Sequence, residues 1–153
     1  MKPVRLSTAT VQAELEKAIG FVANHDITLI CAGRTDAGVH ATGQVAHFEV
    51  SVERDNKAWV MGVNSQLPAQ IRVLWAQELS SDFYARFSAT ARRYQYWIHN
   101  NPVKPVIFIQ MLSYYPKPLD EQRMHVAAQA LLGEQDCSAF RAIACESNTP
   151  MRN

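Results

Sequence analysis

Val11, Leu15, Ala18, Ile19 and Val22 recur at the spacing of one helix face, and the short apolar run Ile27 to Cys31 follows almost at once. An apolar stripe on a helix is stable only against a second layer, and a short apolar run that ends in a break suits a buried strand. The chain is thereby committed early to a helix over Val11 to Asn24, with Thr8 or Thr10 as its N-cap and Glu14 in its first turn, packed beside a strand. That strand breaks at Gly33, and the polar, glycine-bearing segment Ala32 to Gly43 reads as a loop. Beyond it, Ala46, Phe48 and Val50 alternate with Val45, His47 and Glu49, as expected of a strand with one face better buried than the other.

Further along, Trp59, Val63 and Leu67 predict a second helix interrupted at Pro68, and Ile71 to Leu79 reads as another strand. A strand across Arg92 to Asn100 would set Tyr94, Tyr96 and Ile98 on one side and Arg93, Gln95, Trp97 and His99 on the other. The Pro-punctuated stretch Pro102 to Pro118 is the most irregular and suits a strand flanked by turns. Asp120 caps a helix carrying Met124, Ala127, Ala128 and Leu131, with Gly133 as its C′ residue. Helices and strands mix without strict alternation, so the fold class is α+β.

With 153 residues, 48% hydrophobic and 19% charged, the chain is sized for one soluble globular domain. No stretch approaches the roughly 18 to 20 apolar residues of a membrane helix, and the start lacks the layout of a secretory signal, so the expected compartment is the cytoplasm. Cys31, Cys137 and Cys145 form no close pair, and the five histidines are scattered, which argues against a metal site and a disulfide framework. Net charge is only +1, but its distribution is uneven. Between Phe83 and Leu119 there is no Asp or Glu, five cations (Arg86, Arg92, Arg93, Lys104, Lys117) and nine aromatic rings, while the rest of the chain sums to minus four. Cations meet phosphates and rings stack on unpaired bases, so this window suits RNA as well as it suits a solvated strand with core aromatics.

In the loop, Arg34 and Asp36 stand two apart between two strands, where a carboxylate can face a cleft. Taken alone, Asp before Ala-Gly is also ordinary turn chemistry, with Arg34 as an exposed partner. A hydrolase built on the turn would need a second acid/base group at a suitable distance, and the motifs supply none.

The run AGRTDAGVHATGQVAHF, Ala32 to Phe48, resembles the active-site motif of the tRNA pseudouridine synthase A family. ARFSATARRYQYWIHN, Ala85 to Asn100, is similar to its second signature, and LLGEQDCSAFR, Leu131 to Arg141, to a third. With Val63-Asn64 and Leu67-Pro68 between them, the resemblance covers nearly the whole chain from Val11. It implies a mixed, mainly antiparallel sheet with helices on one face, and isomerisation of uridine to pseudouridine in the anticodon stem-loop of tRNA, at tRNA positions 38 to 40, with neither cofactor nor metal. Asp36 matches the catalytic aspartate that breaks the bond between ribose and uracil N1, after which the base rotates and rejoins through C5. Whether the carboxylate attacks the sugar, adds to the base or removes a ribose proton, it must be ionised and close to substrate.

Tyr94 matches the active-site tyrosine that packs on the target base and assists loss of the C5 proton. Arg34 matches an arginine that holds the target nucleotide out of its stack, an extraction that costs a few kcal/mol. Arg92 and Arg93 become candidates for the RNA backbone. His40 and Gln44 receive no chemistry, and Cys31 reads as a small buried residue. The family begins with a Tyr-Asp-Gly strand and a Gly-Trp-Gln segment that do not occur here, and continues into a second half carrying a basic residue that faces the aspartate. The expectation is therefore an incomplete N-terminal catalytic-motif domain over residues 1–153, with the second domain absent, either weakly active or a remnant that only binds RNA. The resemblance also implies tRNA as partner and a homodimer for the full-length family.

Overall fold

The computed structural model describes residues 10–140 and 151–152, in two compact units, Met1–Gln95 and Tyr96–Asn153. Thr8, Arg141, Cys145 and the segment Thr149 to Pro150 lie outside the described residues.

In the first unit, helix α1 spans Val11–Ala23. Thr10 caps it, its hydroxyl accepting from the Ala13 amide at 3.1 Å, and Asn24 ends it in the left-handed region at φ 61. Asparagine tolerates that conformation better than most residues, which makes it a natural stop. Ala18, Ile19 and Ala23 are buried, with Leu15 and Val22 half-buried beside them, as the stripe requires; Val11 is exposed.

Helix α2, Asn56–Gln66, turns Trp59 and Val63 inward, and the buried Leu67 ends it before Pro68. The two helices meet where Val22 crosses Gly62: a Cβ there would stand 3.0 Å from the Val22 methyl. The core joins them to Ile27 and Leu29, with Cys31, Ala46 and Phe48 packed at its margin. Burying each large aliphatic chain contributes about 1.5–3 kcal/mol, so this cluster is the main source of the unit's stability.

Strands β1, Ile30–Cys31, and β2, Ala46–His47, pair antiparallel in the register Ile30 with His47 and Cys31 with Ala46. The ladder is shorter than the run Ile27 to Cys31 predicts, because side chains occupy the backbone just before it. Glu16 accepts from the Leu29 amide and Gln12 donates to the Leu29 carbonyl, each at 3.0 Å.

The strand expected over Ile71 to Leu79 is absent for a related reason. The Asn64 amide donates to the Val73 carbonyl and accepts from the Val73 amide, both at 2.8 Å, so a side chain from α2 takes the place of a neighbouring strand. Removing it leaves two half-buried backbone groups unpaired. Asn64→Ala is expected to cost about 1–2 kcal/mol in urea denaturation, with an unchanged m-value.

In the second unit, β3, Ile98–Asn100, pairs in parallel with β4, Ser113–Tyr115. The strand expected across Arg92 to Asn100 is thus only its last three residues. The boundary between the two units falls at Gln95 and Tyr96, inside the run that periodicity joined. Strand β4 lies within the Pro-rich stretch, as its irregular pattern suggests. Asn100 ties down the end of β4 and the residues that follow by donating to the Tyr115 and Lys117 carbonyls and accepting from the Leu119 amide.

Helix α3, Glu121–Gln129, is capped by Asp120, which accepts from the Arg123 amide at 2.9 Å. It ends at Ala130 in right-handed geometry, so Gly133 is not its C′ residue; at φ 79, Gly133 instead turns the chain toward β5. Strand β5, Gln135–Asp136, pairs antiparallel with β6, Met151–Arg152. None of the residues in α3 is buried. The class is α+β, and among the described residues two of the three ladders are antiparallel, in three separate two-stranded sheets.

Candidate active site

The motif loop runs from the end of β1 to the start of β2, and its base is closed by successive hydrogen bonds. The Ala32 amide donates to the Val45 carbonyl at 2.8 Å, extending the ladder by one step. Gln44 then donates its side-chain amide to the Gly33 carbonyl at 2.7 Å and accepts from the Val45 amide at 3.2 Å. At the tip the Val39 amide returns to the Asp36 carbonyl at 3.2 Å, closing a turn with Gly38 at φ 84. Two short strands over an apolar core therefore present a tethered loop in which Thr35 and Asp36 are exposed.

A carboxylate in that position is open to a nucleoside while its backbone is fixed at both ends of the loop. Burial, and then the nearby Glu16 carboxylate, push the Cys31 thiol above its ordinary range, against an opposing pull from the Arg34 guanidinium. The thiolate of Cys31 is thereby disfavoured, while the cation of Arg34 acts at the end of β1.

Arg92, from the second motif, is brought onto this loop. Its guanidinium donates to the Ala32 carbonyl, and its stem crosses Gly33, where a Cβ would stand 3.0 Å from Nε. Arg93 and Tyr94 are exposed, Tyr94 by 72%. The same segment is anchored a few residues earlier: the Ala85 amide donates to His47 Nδ1 at 3.2 Å, and the His47 ring meets Tyr84 edge-on at 4.8 Å. Tyr84 stacks on Phe87 at 4.8 Å, with the Arg86 guanidinium 6.0 Å from the Phe87 ring.

Sequence reasoning missed Gln44 and His47 as the brackets of the site. Gln44 was legible in part, since a side-chain amide at the end of a hairpin loop can pair with both strands; the bond from Ala85 to His47 spans 38 residues and leaves no trace in local pattern. In the third motif, the hydroxyl and amide of Ser138 both donate to Asp136, and these bonds hold its carboxyl below the ordinary carboxylate range. Among the described residues no three His, Cys, Asp or Glu side chains gather as a metal site, and no helix is long and apolar enough to cross a membrane.

A family profile described as tRNA pseudouridine synthase matches residues 2–88, which include α1, the motif loop, α2 and the His47 to Ala85 anchor. The chain belongs to the tRNA pseudouridine synthase family. Among curated relatives, the tRNA pseudouridine synthase A of Shewanella loihica is 57% identical over 94% of this chain and 55% of its own length. The protein of the same name from Shewanella sp. strain MR-7 is 58% identical over 94% of this chain and 55% of its own. That of Escherichia coli O1:K1 / APEC is 54% identical over 94% of this chain and 53% of its own. The chain thus spans about half the length of the curated relatives it matches. The loop that carries Asp36 lies inside the family match, as do Arg34, Gln44 and His47, whereas Arg92, Arg93 and Tyr94 lie beyond it.

Proposed function

We propose that this chain carries the catalytic motif of a tRNA pseudouridine synthase and isomerises uridine in the anticodon stem-loop of tRNA. The observation that supports this most directly is the tethered hairpin loop holding Asp36 exposed above the β1–β2 ladder, in a chain more than half identical to synthases of that name. In this reading the Asp36 carboxylate assists cleavage of the bond from C1′ of ribose to N1 of uracil. The uracil turns, C1′ bonds to C5, the C5 proton passes to solvent and N1 takes up a proton, so atoms and charge balance with no redox partner. Tyr94 stacks on the everted base, Arg34 holds the nucleotide out of its helix, and Arg93 with the basic, ring-bearing segment after Phe83 meets phosphates and unpaired bases.

The same proposal assigns residues 1–153 as the motif-bearing domain, tRNA as the partner, and a cytoplasmic enzyme that works as a homodimer without cofactor or metal. The test is tRNA labelled with tritium at uridine C5, incubated with the 153-residue chain. Release of tritium to water from the anticodon arm supports the proposal. Binding of tRNA without release supports the binding-only reading, and neither binding nor release overturns both.

A further inference from the structure

The structure assigns Arg92 a positioning role: it is a clamp that fixes the base of the Asp36 loop, and Gly33 is glycine so that this clamp can close. The premise is a crossing of two motifs remote in sequence. The guanidinium of Arg92 donates to the carbonyl of Ala32, 60 residues earlier. The peptide groups of Ala32 and Gly33 are thereby used in succession, the Ala32 amide by Val45, the Ala32 carbonyl by Arg92 and the Gly33 carbonyl by Gln44. This is the end of the loop from which Arg34 and Asp36 rise, so freedom at Ala32 and Gly33 becomes displacement of the carboxylate. A misplacement of about 1 Å at a reacting group can cost a hundredfold in rate.

Gly33 supplies the independent argument. Its φ is not in the left-handed region, unlike that of Gly38 or Gly133, so the backbone there does not itself require glycine. What is tight there is space. A Cβ would meet Arg92 Nε at 3.0 Å, Cδ at 3.6 Å and Cζ at 3.9 Å, so the arginine stem lies directly over the missing side chain. At Gly43, by contrast, a Cβ would meet nothing within 4 Å. An arginine that serves an RNA phosphate needs its guanidinium free; that of Arg92, though on an exposed residue, is already engaged by a charge-assisted bond to the Ala32 carbonyl, with its stem against Gly33. Arg93, exposed like Arg92, remains suited to the phosphate role.

The clamp itself is independent of the proposed activity, while its effect on rate rests on that reading, so the experiment separates the two. Amide hydrogen exchange of the intact chain is compared for the parent, Arg92→Ala, Arg92→Lys, Gly33→Ala and the double variant. Arg92→Ala is expected to speed exchange in the segment 32–45 by about tenfold, the loss of one hydrogen bond to a charged group, with α1 unchanged. Gly33→Ala is expected to act in the same direction by displacing the stem. In the double variant the alanine at position 33 adds less than about twofold, because the side chain it would displace is gone. Arg92→Lys restores a donor and part of the protection.

Salt dependence of tRNA binding then distinguishes clamp from phosphate contact. Arg93→Ala is expected to lower the slope of log affinity against log salt by about one, and Arg92→Ala to leave it unchanged while slowing tritium release. Unchanged exchange at 32–45 in Arg92→Ala, additive effects in the double variant, or a slope lowered by about one in Arg92→Ala would each overturn the assignment. If the chain neither binds tRNA nor releases tritium, the proposed function fails, and the exchange data still decide the clamp.

Discussion

Asp36→Ala is expected to remove tritium release from uridine-labelled tRNA, by about a thousandfold or more, while tRNA affinity changes by less than about twofold. The reasoning is electrostatic and geometric. Asp36 stands exposed in a loop whose backbone is pinned at its base by Val45, Gln44 and Arg92. Its own contribution to the turn is the carbonyl that accepts from Val39, and alanine retains that carbonyl. Under the proposed function, removing the carboxylate takes away the group assigned to the glycosidic bond and leaves in place the surface assigned to RNA. A negative charge beside a polyanion if anything opposes binding, so affinity is expected to hold or rise slightly. Equal losses of binding and release in Asp36→Ala would show that the carboxylate serves the loop's structure and not the chemistry.

Trp59→Ala carries the largest expected effect on stability. Trp59 is 8% exposed, belongs to the core cluster that joins α1 and α2, and meets the Phe48 ring edge-on with centroids 5.5 Å apart. Truncating a buried tryptophan removes both its transfer free energy and the contacts around it, about 3–5 kcal/mol. Against a total of about 5–15 kcal/mol for a domain, that is a large part of the whole.

The urea midpoint is expected to fall by about 2 M, with Phe21→Ala, 69% exposed on the outer face of α1, moving it by less than about 0.5 M. Phe48 closes the motif run and comes directly after β2, so the loss reaches the site as well: the loop segment 32–45 should exchange faster in Trp59→Ala even where the chain is still folded. Similar shifts for the two variants would place the core elsewhere than in this helix pair.

Position by position, the pattern of residues resolved some parts of the molecule and not others. Helix α1 was legible to within a residue, because its stripe, its Thr10 cap and its Asn24 stop all act within a few positions of one another. The hairpin loop was legible too, since Gly33, Gly38 and Gly43 punctuate a polar segment between apolar ones. Alternation in Ile71 to Leu79 and Arg92 to Trp97 pointed to strands that do not form ladders. Alternation bears on which side chains can face inward, and Ile71 and Val73 do pack against the core, whereas Trp75, next in that period, is exposed and Ala76 packs inward in its place; it carries no information about what bonds the backbone. At Val73 that partner is a side chain of α2, and at Leu29 it is a pair of side chains of α1.

The candidate site divides along the same line. Residue types near one another in the chain determined that a carboxylate, a cation and a flexible turn would share one exposed loop; the motif likeness named Asp36 and Arg34 within it, and Tyr94 in the second motif. Tertiary structure alone decided that Arg92 would close on Ala32 and that His47 would hold Ala85, because a hydrogen bond between positions 60 or 38 apart depends on how the chain returns and not on its local pattern. Local spacing sets which conformation each segment prefers; only packing sets which distant backbone groups find partners, and here that choice anchors the loop that carries the carboxylate.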